Sequence, residues 1–181
     1  MRTAQKLYEG IDIKGETTGL ITYMRTDGVN IAGEAINDAR SVIGSKFGSN
    51  YVPAKPNFYK NKAKNAQEAH EAIRPTSLSR LPEDVANRLD DDQKRLYELI
   101  WKRTIASQMA DAQMEQTTAD MVSENGQTIL RATGTVQVFD GFLTLYQEGK
   151  DDSTDEDEKR LPKLSNGENI DKEKIDANQH F

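Results

Sequence analysis

The chain has 181 residues, a net charge of −6 and no cysteine, so it can form one large or two small domains without disulfides or thiolate-bound metals. Two histidines are too few to build a zinc site by themselves. No apolar stretch approaches the length of a membrane span and the N-terminus lacks the apolar core of a signal peptide, which favours a cytoplasmic protein.

The charge is divided unevenly along the chain. Residues 1–80 hold 12 Lys or Arg against 8 Asp or Glu, whereas residues 81–181 hold 12 against 22. Residues 40–64 contain basic side chains but no acid, and aromatic rings lie among them. The set is Arg40, Lys46, Lys55, Lys60, Lys62 and Lys64, with Tyr51, Phe58 and Tyr59. This mixture suits a phosphate backbone and unstacked bases, and a solvated lysine-rich loop is an equally open interpretation.

The N-terminal third alternates between helical and irregular patterns. Residues 2–9 are typical of a helix that ends at Gly10, and the Gly- and Thr-rich residues 12–19 predict a loop. The apolar residues 20–23 predict a short buried strand.

A second helix is predicted from Asn30, as its cap, to about Phe47, with Gly48 ending it. Its apolar residues recur on one helical face, and they are Ile31, Ala35, Ala39, Val42, Ile43 and Phe47. Residues 49–66 contain two prolines and predict an irregular loop.

The third helical region has clear start signals. Residues 81–84, Leu-Pro-Glu-Asp, suit a first helical turn, and a longer helix is predicted to follow Asp90 or Asp91. Its predicted apolar face consists of Leu96, Leu99, Ile100, Arg103, Ala106 and Met109. Tyr97 and Trp101 flank that face, and we expect both to pack in the core.

The chain becomes strand-rich after about residue 111. Residues 117–122 and 128–138 favour β-structure, and Asn125-Gly126 between them is a strong hairpin signal. Residues 148–160 are too highly charged to be buried and predict a mobile acidic loop. Residues 164–175 predict another hairpin, turning at Asn166-Gly167, and the abrupt end after it suggests a piece of a longer protein.

The segment GLITYMRTDG, residues 19–28, places a phenol, a guanidinium and a carboxylate close together. A tyrosine with its ordinary pKa near 10 needs help to act as a nucleophile at neutral pH. Arg25, two residues from Tyr23, would share its strand face and can stabilise both a phenolate and a pentacovalent phosphorus transition state. Asp27 can orient this arginine or help to bind a cation. Alternatively, Tyr23 packs at a strand end while Arg25 and Asp27 form an ordinary ion pair.

A second polar cluster lies in NAQEAHEAIRPT, residues 65–76. If this segment is helical, one face carries Gln67, His70, Glu71 and Arg74. Pro75 would end the helix and let Arg74 swing outward. A short solvated helix of alternating charge is the alternative.

Together, the two segments resemble the type IA DNA topoisomerases, and within them the bacterial topoisomerase I branch. YMRTD at residues 23–27 is similar to the family's active-site tyrosine motif, and QEAHEAIRPT at residues 67–76 is similar to its companion motif. LYELIWKRTIASQM at residues 96–109 is similar to the helix that returns the family's chain to a strand-rich arch. The resemblance implies an α+β fold: a helical, winged-helix-like domain with the tyrosine over residues 1–110, then arch strands over 111–181.

The resemblance also implies roles for individual residues. Tyr23 would cut one DNA strand and keep its 5′-phosphate as a phosphotyrosine, and Arg25 would hold the scissile phosphate. The energy of this ester would allow religation, and relaxation of negative supercoils, without ATP. His70 would contact a nearby phosphate, and the further DNA-binding residues would be Thr26, Asp27, Glu68, Glu71 and Arg74. Met24 favours the topoisomerase I branch, whereas Gly28 departs from the serine of many relatives, with the loss of one capping or phosphate contact.

Part of the implied active site is missing from this sequence. In the family, a Toprim domain supplies a glutamate and the acidic cluster for Mg²⁺, and no such cluster precedes Tyr23. The expectation is a central fragment of a monomeric bacterial enzyme, without its own metal site and inactive in relaxation by itself. Its partners would be single-stranded DNA and the missing Toprim domain. The rival hypothesis is a non-catalytic module that binds single-stranded nucleic acid through residues 40–64, with Tyr23 in the core.

Overall fold

The computed structural model describes residues 1–13, 15–59, 71–146, 161 and 164–171. These residues form helices and small antiparallel sheets, which confirms the α+β class. The elements are α1 (Arg2–Glu9), β1 (Ile11–Ile13), β2 (Glu16–Thr18), α2 (Gly33–Lys46), α3 (Pro82–Val85), α4 (Asp91–Ser107), β3 (Gln113–Val122) and β4 (Ile129–Phe139). Short 3₁₀ turns lie at Ser49–Tyr51, Ala86–Arg88 and Gly141–Tyr146.

The chain divides into two compact units. The first contains Met1–Ala112 and the described residues from Asp140 onward to Tyr146, and the second contains Gln113–Phe139 and the later described residues. Two hydrophobic clusters form the core of the first unit. One contains Ala39, Val42, Ile43, Leu78, Trp101, Ile105, Met109 and Leu145, and the other contains Leu7, Leu20, Ile21, Val85 and Tyr97. No helix in the described ranges is long and apolar enough to cross a membrane.

The first helix ends as predicted, but the loop after it is a small hairpin. Strands β1 and β2 pair antiparallel, with Ile11 opposite Thr18. The prediction of a loop over residues 12–19 was therefore wrong. The Asp12 carboxylate accepts a hydrogen bond from the Gly15 N–H at 2.8 Å, which closes a tight turn between two β-favouring stretches. Gly10 has φ of +106°, a conformation that favours glycine.

Residues 20–23 are buried at their start but do not form the predicted strand. Leu20 and Ile21 are buried, and the only bridge in this stretch joins Ile21 to Pro75. The Thr76 N–H donates to the Leu20 carbonyl at 3.0 Å, and the Thr22 N–H donates to the Arg74 carbonyl at 2.9 Å. Because proline has no backbone N–H to donate, the hydrogen bonding between the two segments is interrupted at Pro75 and the pairing stays short.

Helix α2 has the predicted buried face but a different start. Ala35, Ala39, Val42 and Ile43 are buried, as expected. Asn30 does not cap the helix, because the N-cap is Ala32 and its N–H donates to the Glu71 carboxylate at 2.8 Å. Asn30 instead accepts a backbone hydrogen bond from Ala72 at 2.8 Å. In the described part of the predicted irregular loop, residues 49–59, the only helical element is one 3₁₀ turn.

Helices α3 and α4 begin as the sequence predicts. Pro82 occupies the first turn of α3, and Asp90 caps α4 by accepting from the Gln93 N–H at 2.8 Å while the Gln93 side chain accepts from the Asp90 N–H at 3.0 Å. This reciprocal arrangement satisfies two backbone donors at the start of the helix.

The predicted apolar face of α4 was wrong, because the neighbouring stripe is the buried one. Tyr97, Trp101 and Ile105 are buried, whereas Leu99 is 60% exposed and Arg103 is exposed. The Trp101 indole N–H donates to the Leu78 carbonyl and the Tyr97 hydroxyl donates to the Arg80 carbonyl, both at 2.9 Å. The two aromatic rings thus bury the larger area and satisfy their polar atoms as well.

The second unit is built on the predicted hairpin. Strands β3 and β4 pair antiparallel over their length, and the Asn125-Gly126 turn is confirmed by the Gly126 N–H donating to the Ser123 carbonyl at 2.8 Å. Residues 164–171 contain the predicted turn, in which the Glu168 N–H donates to the Ser165 carbonyl at 3.1 Å, but no strand. Residues 148–160 and 172–175 lie outside the described residues.

Candidate active site

Tyr23 lies on the surface of the first unit, directly after the buried pair of residues 20–21. Unlike that pair, the Tyr23 side chain is 55% exposed. The next residue, Met24, is again buried in the core. Tyr97 provides the contrast within the same unit, because it is fully buried and desolvation raises its pKa to about 12. The phenol of Tyr23 is therefore accessible to a substrate, as a nucleophile must be.

The ring of Tyr8 contacts the ring of Tyr23. Their centroids are 5.3 Å apart and their planes meet at 71°, an edge-to-face arrangement. The Leu20 N–H donates to the Leu7 carbonyl at 2.7 Å, and a Cβ on Gly19 would lie 2.7 Å from the Tyr8 carbonyl oxygen. Glycine at residue 19 therefore lets the Tyr23 segment run close against the end of α1. Sequence reasoning missed Tyr8, whose only signal is an aromatic residue at the end of a helix.

Arg25 and Asp27 form the ion pair that the structural interpretation predicts, and the pair also matches the catalytic alternative in which Asp27 orients the arginine. The distance from Arg25 Nε to Asp27 Oδ2 is 2.9 Å, and both side chains are partly exposed. The Arg25 N–H donates to the Tyr23 carbonyl at 2.8 Å, so the backbone turns tightly between the two residues. Asp27 thus orients the guanidinium of Arg25, which is two residues from Tyr23 in the sequence. The exposure of Tyr23, rather than the ion pair, distinguishes the catalytic interpretation from the structural one.

The described end of the companion segment is extended, and the helix predicted there is absent from residues 71–76. Glu71 forms a parallel bridge with Asn30, and Pro75 forms an antiparallel bridge with Ile21. These long-range backbone pairs replace the local hydrogen bonds that a helix would need. Gln67, Glu68 and His70 lie outside the described residues.

Arg74 does not swing outward, and that expectation was wrong. It binds the Glu71 carboxylate through two nitrogens, with Nε–Oε1 at 2.7 Å and Nη2–Oε2 at 3.0 Å. Its third nitrogen donates to the Pro75 carbonyl at 2.7 Å, and the Arg74 side chain is only 13% exposed. Burial acts to raise the pKa of Glu71, but the hydrogen bonds from Arg74 and the Ala32 N–H outweigh it and lower that pKa overall.

Thr22 joins the two predicted motifs. Its hydroxyl donates to the Ala72 carbonyl at 2.7 Å and accepts from the Arg74 N–H at 3.0 Å. The segments that hold Tyr23 and Arg74 therefore lie side by side, although about fifty residues separate them in the sequence. Thr22 was not singled out from the sequence, since a threonine in a short apolar stretch carries no distinctive pattern.

Of the three basic residues in segment 40–64 that the structure describes, Lys55 is exposed, whereas Lys46 and Arg40 are engaged within the fold. Lys46 pairs with Glu83 at 2.7 Å and lies 5.7 Å from the centroid of the Trp101 ring, and Arg40 is half-buried. Tyr51 is also engaged: its hydroxyl donates to Asp140 at 2.7 Å, which raises the pKa of Tyr51. Phe58 is 76% exposed. Lys60, Lys62 and Lys64 lie outside the described residues.

A cleft of about 560 Å³ adjoins the Tyr23 segment. Thr26 and Gly28 contribute to its wall, together with residues of α4 and of the 57–59 stretch. The predicted site residue Thr26 is exposed at this wall.

The described residues offer no ready metal site. Among them, no group of three or more histidine or carboxylate side chains could hold an ion. The two carboxylates of the motifs that lie among the described residues are already occupied, since Asp27 pairs with Arg25 and Glu71 pairs with Arg74.

Comparisons with known proteins agree with one another. A family model described as DNA topoisomerase matches residues 1–181. Relatives named DNA topoisomerase 1 are 50% identical in Rickettsia bellii (strain RML369-C), 50% in Xylella fastidiosa (strain Temecula1) and 53% in Zymomonas mobilis. Each covers the whole chain, which spans 23%, 23% and 14% of those relatives' lengths. The solved structure of full-length topoisomerase I from Thermotoga maritima aligns with a TM-score of 0.66 and 38% identity, covering 81% of this chain and 22% of that one.

Proposed function

Because this chain belongs to the DNA topoisomerase family, we propose that it carries the strand-cutting tyrosine of a type IA enzyme and that this residue is Tyr23. The enzyme cuts one DNA strand, passes another strand through the break and reseals it, which relaxes negative supercoils without ATP. The chain spans 23% of the first relatives' lengths, so it supplies one part of that activity.

The exposure of Tyr23 is the observation that carries this proposal. A nucleophile must reach the phosphorus atom, and Tyr23 is 55% exposed, two residues from Arg25, whose guanidinium Asp27 orients. The rival hypothesis, a non-catalytic nucleic-acid-binding module, places Tyr23 in the core, where no exposure is expected. It also depends on an open basic surface, and two of the three described basic residues of segment 40–64, Lys46 and Arg40, are instead packed or paired.

The chemistry follows from a phenol and a cation held near one phosphodiester. The Tyr23 oxygen, having given up its proton, attacks phosphorus, and the bond from phosphorus to the 3′-oxygen breaks. The departing oxygen takes up a proton to become a 3′-hydroxyl, while the 5′-phosphate stays on the tyrosine. Negative charge increases on the phosphate oxygens in the transition state, and Arg25 stabilises it there. The reverse attack by the 3′-hydroxyl restores the strand and frees Tyr23.

The other predicted residues act on the same DNA segment. Thr26 presents an exposed hydroxyl to the strand, and Asp27 orients Arg25. Glu71 and Arg74 bind each other and hold the companion segment against Thr22, so we assign them a positioning role near the phosphate. Glu68 and His70 keep the DNA contacts that the family resemblance implies.

The remaining parts of the reaction lie outside this chain in our proposal. A Toprim domain supplies the Mg²⁺ site and the glutamate that transfers a proton. The described residues of this chain do not fit a metal ion, so none of the steps assigned to this chain involves a metal. The whole enzyme acts as a monomer in the bacterial cytoplasm on single-stranded DNA.

The isolated chain should not relax a supercoiled plasmid in the presence of Mg²⁺. Robust relaxation by the chain alone would overturn this division of the active site.

Transfer of label from DNA to protein tests the nucleophile. A single-stranded oligonucleotide labelled at its 3′ end should leave its label on the full-length protein, because the 5′-phosphate of the labelled piece becomes the ester. Tyr23→Phe should abolish the labelled adduct, whereas Tyr146→Phe, which removes a different exposed hydroxyl, should not change it. An adduct that persists in Tyr23→Phe would refute the assignment.

A further inference from the structure

We propose that the cleft beside the Tyr23 segment binds a nucleobase of the cut DNA strand. This inference rests on the proposed function and adds a base-binding site to it. The cleft has a volume of about 560 Å³, within the usual range for sites that bind small organic groups. All the residues that line it belong to the first unit.

The walls suit a flat ring. Val29, Ile31, Ile73, Met109 and Phe142 provide apolar surface, and Tyr59 adds a second aromatic ring. Bases stack favourably on such surfaces regardless of their sequence.

Three of the hydroxyl groups in the wall already donate to backbone carbonyls. Tyr59 donates to Ser107 at 2.8 Å, Ser107 donates to Thr104 at 2.7 Å, and Thr104 donates to Ile100 at 2.8 Å. Because these donors are satisfied within the protein, the middle of the cleft offers ring and hydrocarbon contacts more than hydrogen bonds.

Two charged residues supply polarity at the cleft. Arg103 and Asp111 both contribute to its lining, both are exposed, and neither forms an ion pair within the described part of the chain. Arg103 can donate to ring nitrogens, carbonyl groups or a phosphate, and Asp111 can accept from an exocyclic amine. A ligand with an apolar face and a polar edge carrying both donors and acceptors matches this arrangement. A nucleobase has these properties, whereas a lipid chain lacks the polar edge.

The position of the cleft relative to Tyr23 fits a base of the same strand. Thr26 lines the cleft and is three residues from Tyr23, so their Cα atoms lie within about 11 Å of each other even in a fully extended chain. Successive nucleotides in one strand rise by about 3.4 Å when stacked. A base within a few nucleotides of the scissile phosphate can therefore reach the cleft while that phosphate contacts Tyr23.

Abasic scanning tests this site in a protein that binds but does not cut. Full-length protein carrying Tyr23→Phe would be titrated with single-stranded oligonucleotides, each lacking one base near the scissile phosphate. One position should weaken binding by about tenfold, the size expected for the loss of one stacked base. Val29→Phe fills the cleft and should remove this dependence, so that intact and abasic strands bind equally.

Arg103→Gln should also weaken binding of the intact strand, by about three- to tenfold, since a charged donor at the base edge is lost. Arg95→Gln is the matched control, because Arg95 is exposed on the same helix but does not line the cleft. Arg103 is on the surface, so its variant remains informative if Val29→Phe fails to fold.

A flat abasic scan, or equal effects of the two arginine changes, would overturn the base-binding site. Label transfer by the protein with intact Tyr23 separates this result from a failure of the proposed function. If the adduct forms and the scan is flat, only the cleft assignment is wrong.

Discussion

Tyr8 and Tyr23 meet edge to face, with ring centroids 5.3 Å apart and ring planes at 71°. Tyr8 is on the last turn of α1, which is anchored in the core through Leu7. The contact therefore links the exposed phenol to a fixed element of the fold. It limits the directions in which the Tyr23 hydroxyl can point, which makes Tyr8 a positioning residue in our account.

Removing the Tyr8 ring should slow strand cutting. Tyr8→Ala should reduce the rate of adduct formation about three- to tenfold, since an edge-to-face pair contributes about 0.5–1.5 kcal/mol. Tyr8→Phe keeps the ring and should restore most of the rate. Single-turnover adduct formation at saturating DNA measures this step separately from binding. Equal rates in Tyr8→Ala and the unmodified protein would contradict a positioning role.

The Glu71–Arg74 pair should stabilise the fold. Arg74→Ala leaves a partly buried carboxylate without its bidentate partner, and we expect a loss of about 1–3 kcal/mol in the free energy of unfolding. Arg131→Ala is the control, because Arg131 pairs with Asp120 at 2.6 Å on the surface and such pairs contribute about 1 kcal/mol or less. Urea unfolding of both variants gives the comparison. A smaller loss for Arg74→Ala than for Arg131→Ala would show that the pair does not hold the companion segment.

The same pair predicts a dependence of stability on pH. The pKa of Glu71 lies below its ordinary value of 4.5 in the folded protein, so near and below that pH the unfolded chain binds more protons than the folded one. The contribution of Glu71 is therefore complete above the unfolded pKa and is lost as the pH falls through the folded pKa. The stability difference between the unmodified protein and Glu71→Gln should shrink between pH 6 and pH 3. A constant difference across that range would be inconsistent with the lowered pKa.

The buried face of α4 can be tested with two substitutions on the same helix. Trp101→Ala should cost about 3–5 kcal/mol, because it leaves a large cavity and an unpaired Leu78 carbonyl. Leu99→Ala should change stability by about 0.5 kcal/mol or less, since Leu99 is 60% exposed. Thermal or urea unfolding is sufficient to measure both. A larger loss of stability for Leu99→Ala than for Trp101→Ala would show that the buried face of α4 is the one that the sequence pattern predicted.

Sequence reasoning succeeded where the determining interactions are local. The cap of α4 requires only Asp90 and Gln93, and the hydrogen bonds of the β3–β4 turn lie within residues 123–128. The Arg25–Asp27 pair also lies within three residues, which is why it could be predicted. Each of the two motifs is also local, because it is a short continuous string of residues. The family resemblance drawn from them was confirmed.

The errors arose where distant residues decide the local structure. The start of α2 depends on Glu71, which lies 39 residues away from Ala32 and accepts its N–H. Residues 71–75 are extended because they pair with residues 20–22 and with Asn30, although their composition favours a helix. Tyr8 and Thr22 join the site through tertiary contacts, and no distinctive pattern in the sequence marks them as site residues.

The most direct test of the account is to identify the residue and the bond in the covalent complex. The full-length protein would be trapped on a single-stranded oligonucleotide and digested, and the DNA-linked peptide would be analysed by mass spectrometry. We predict one peptide containing residues 19–28, with Tyr23 joined to the 5′-phosphate of the downstream nucleotide. A link to any other residue, or to a 3′-phosphate, would contradict the assignment of Tyr23 as the strand-cutting nucleophile.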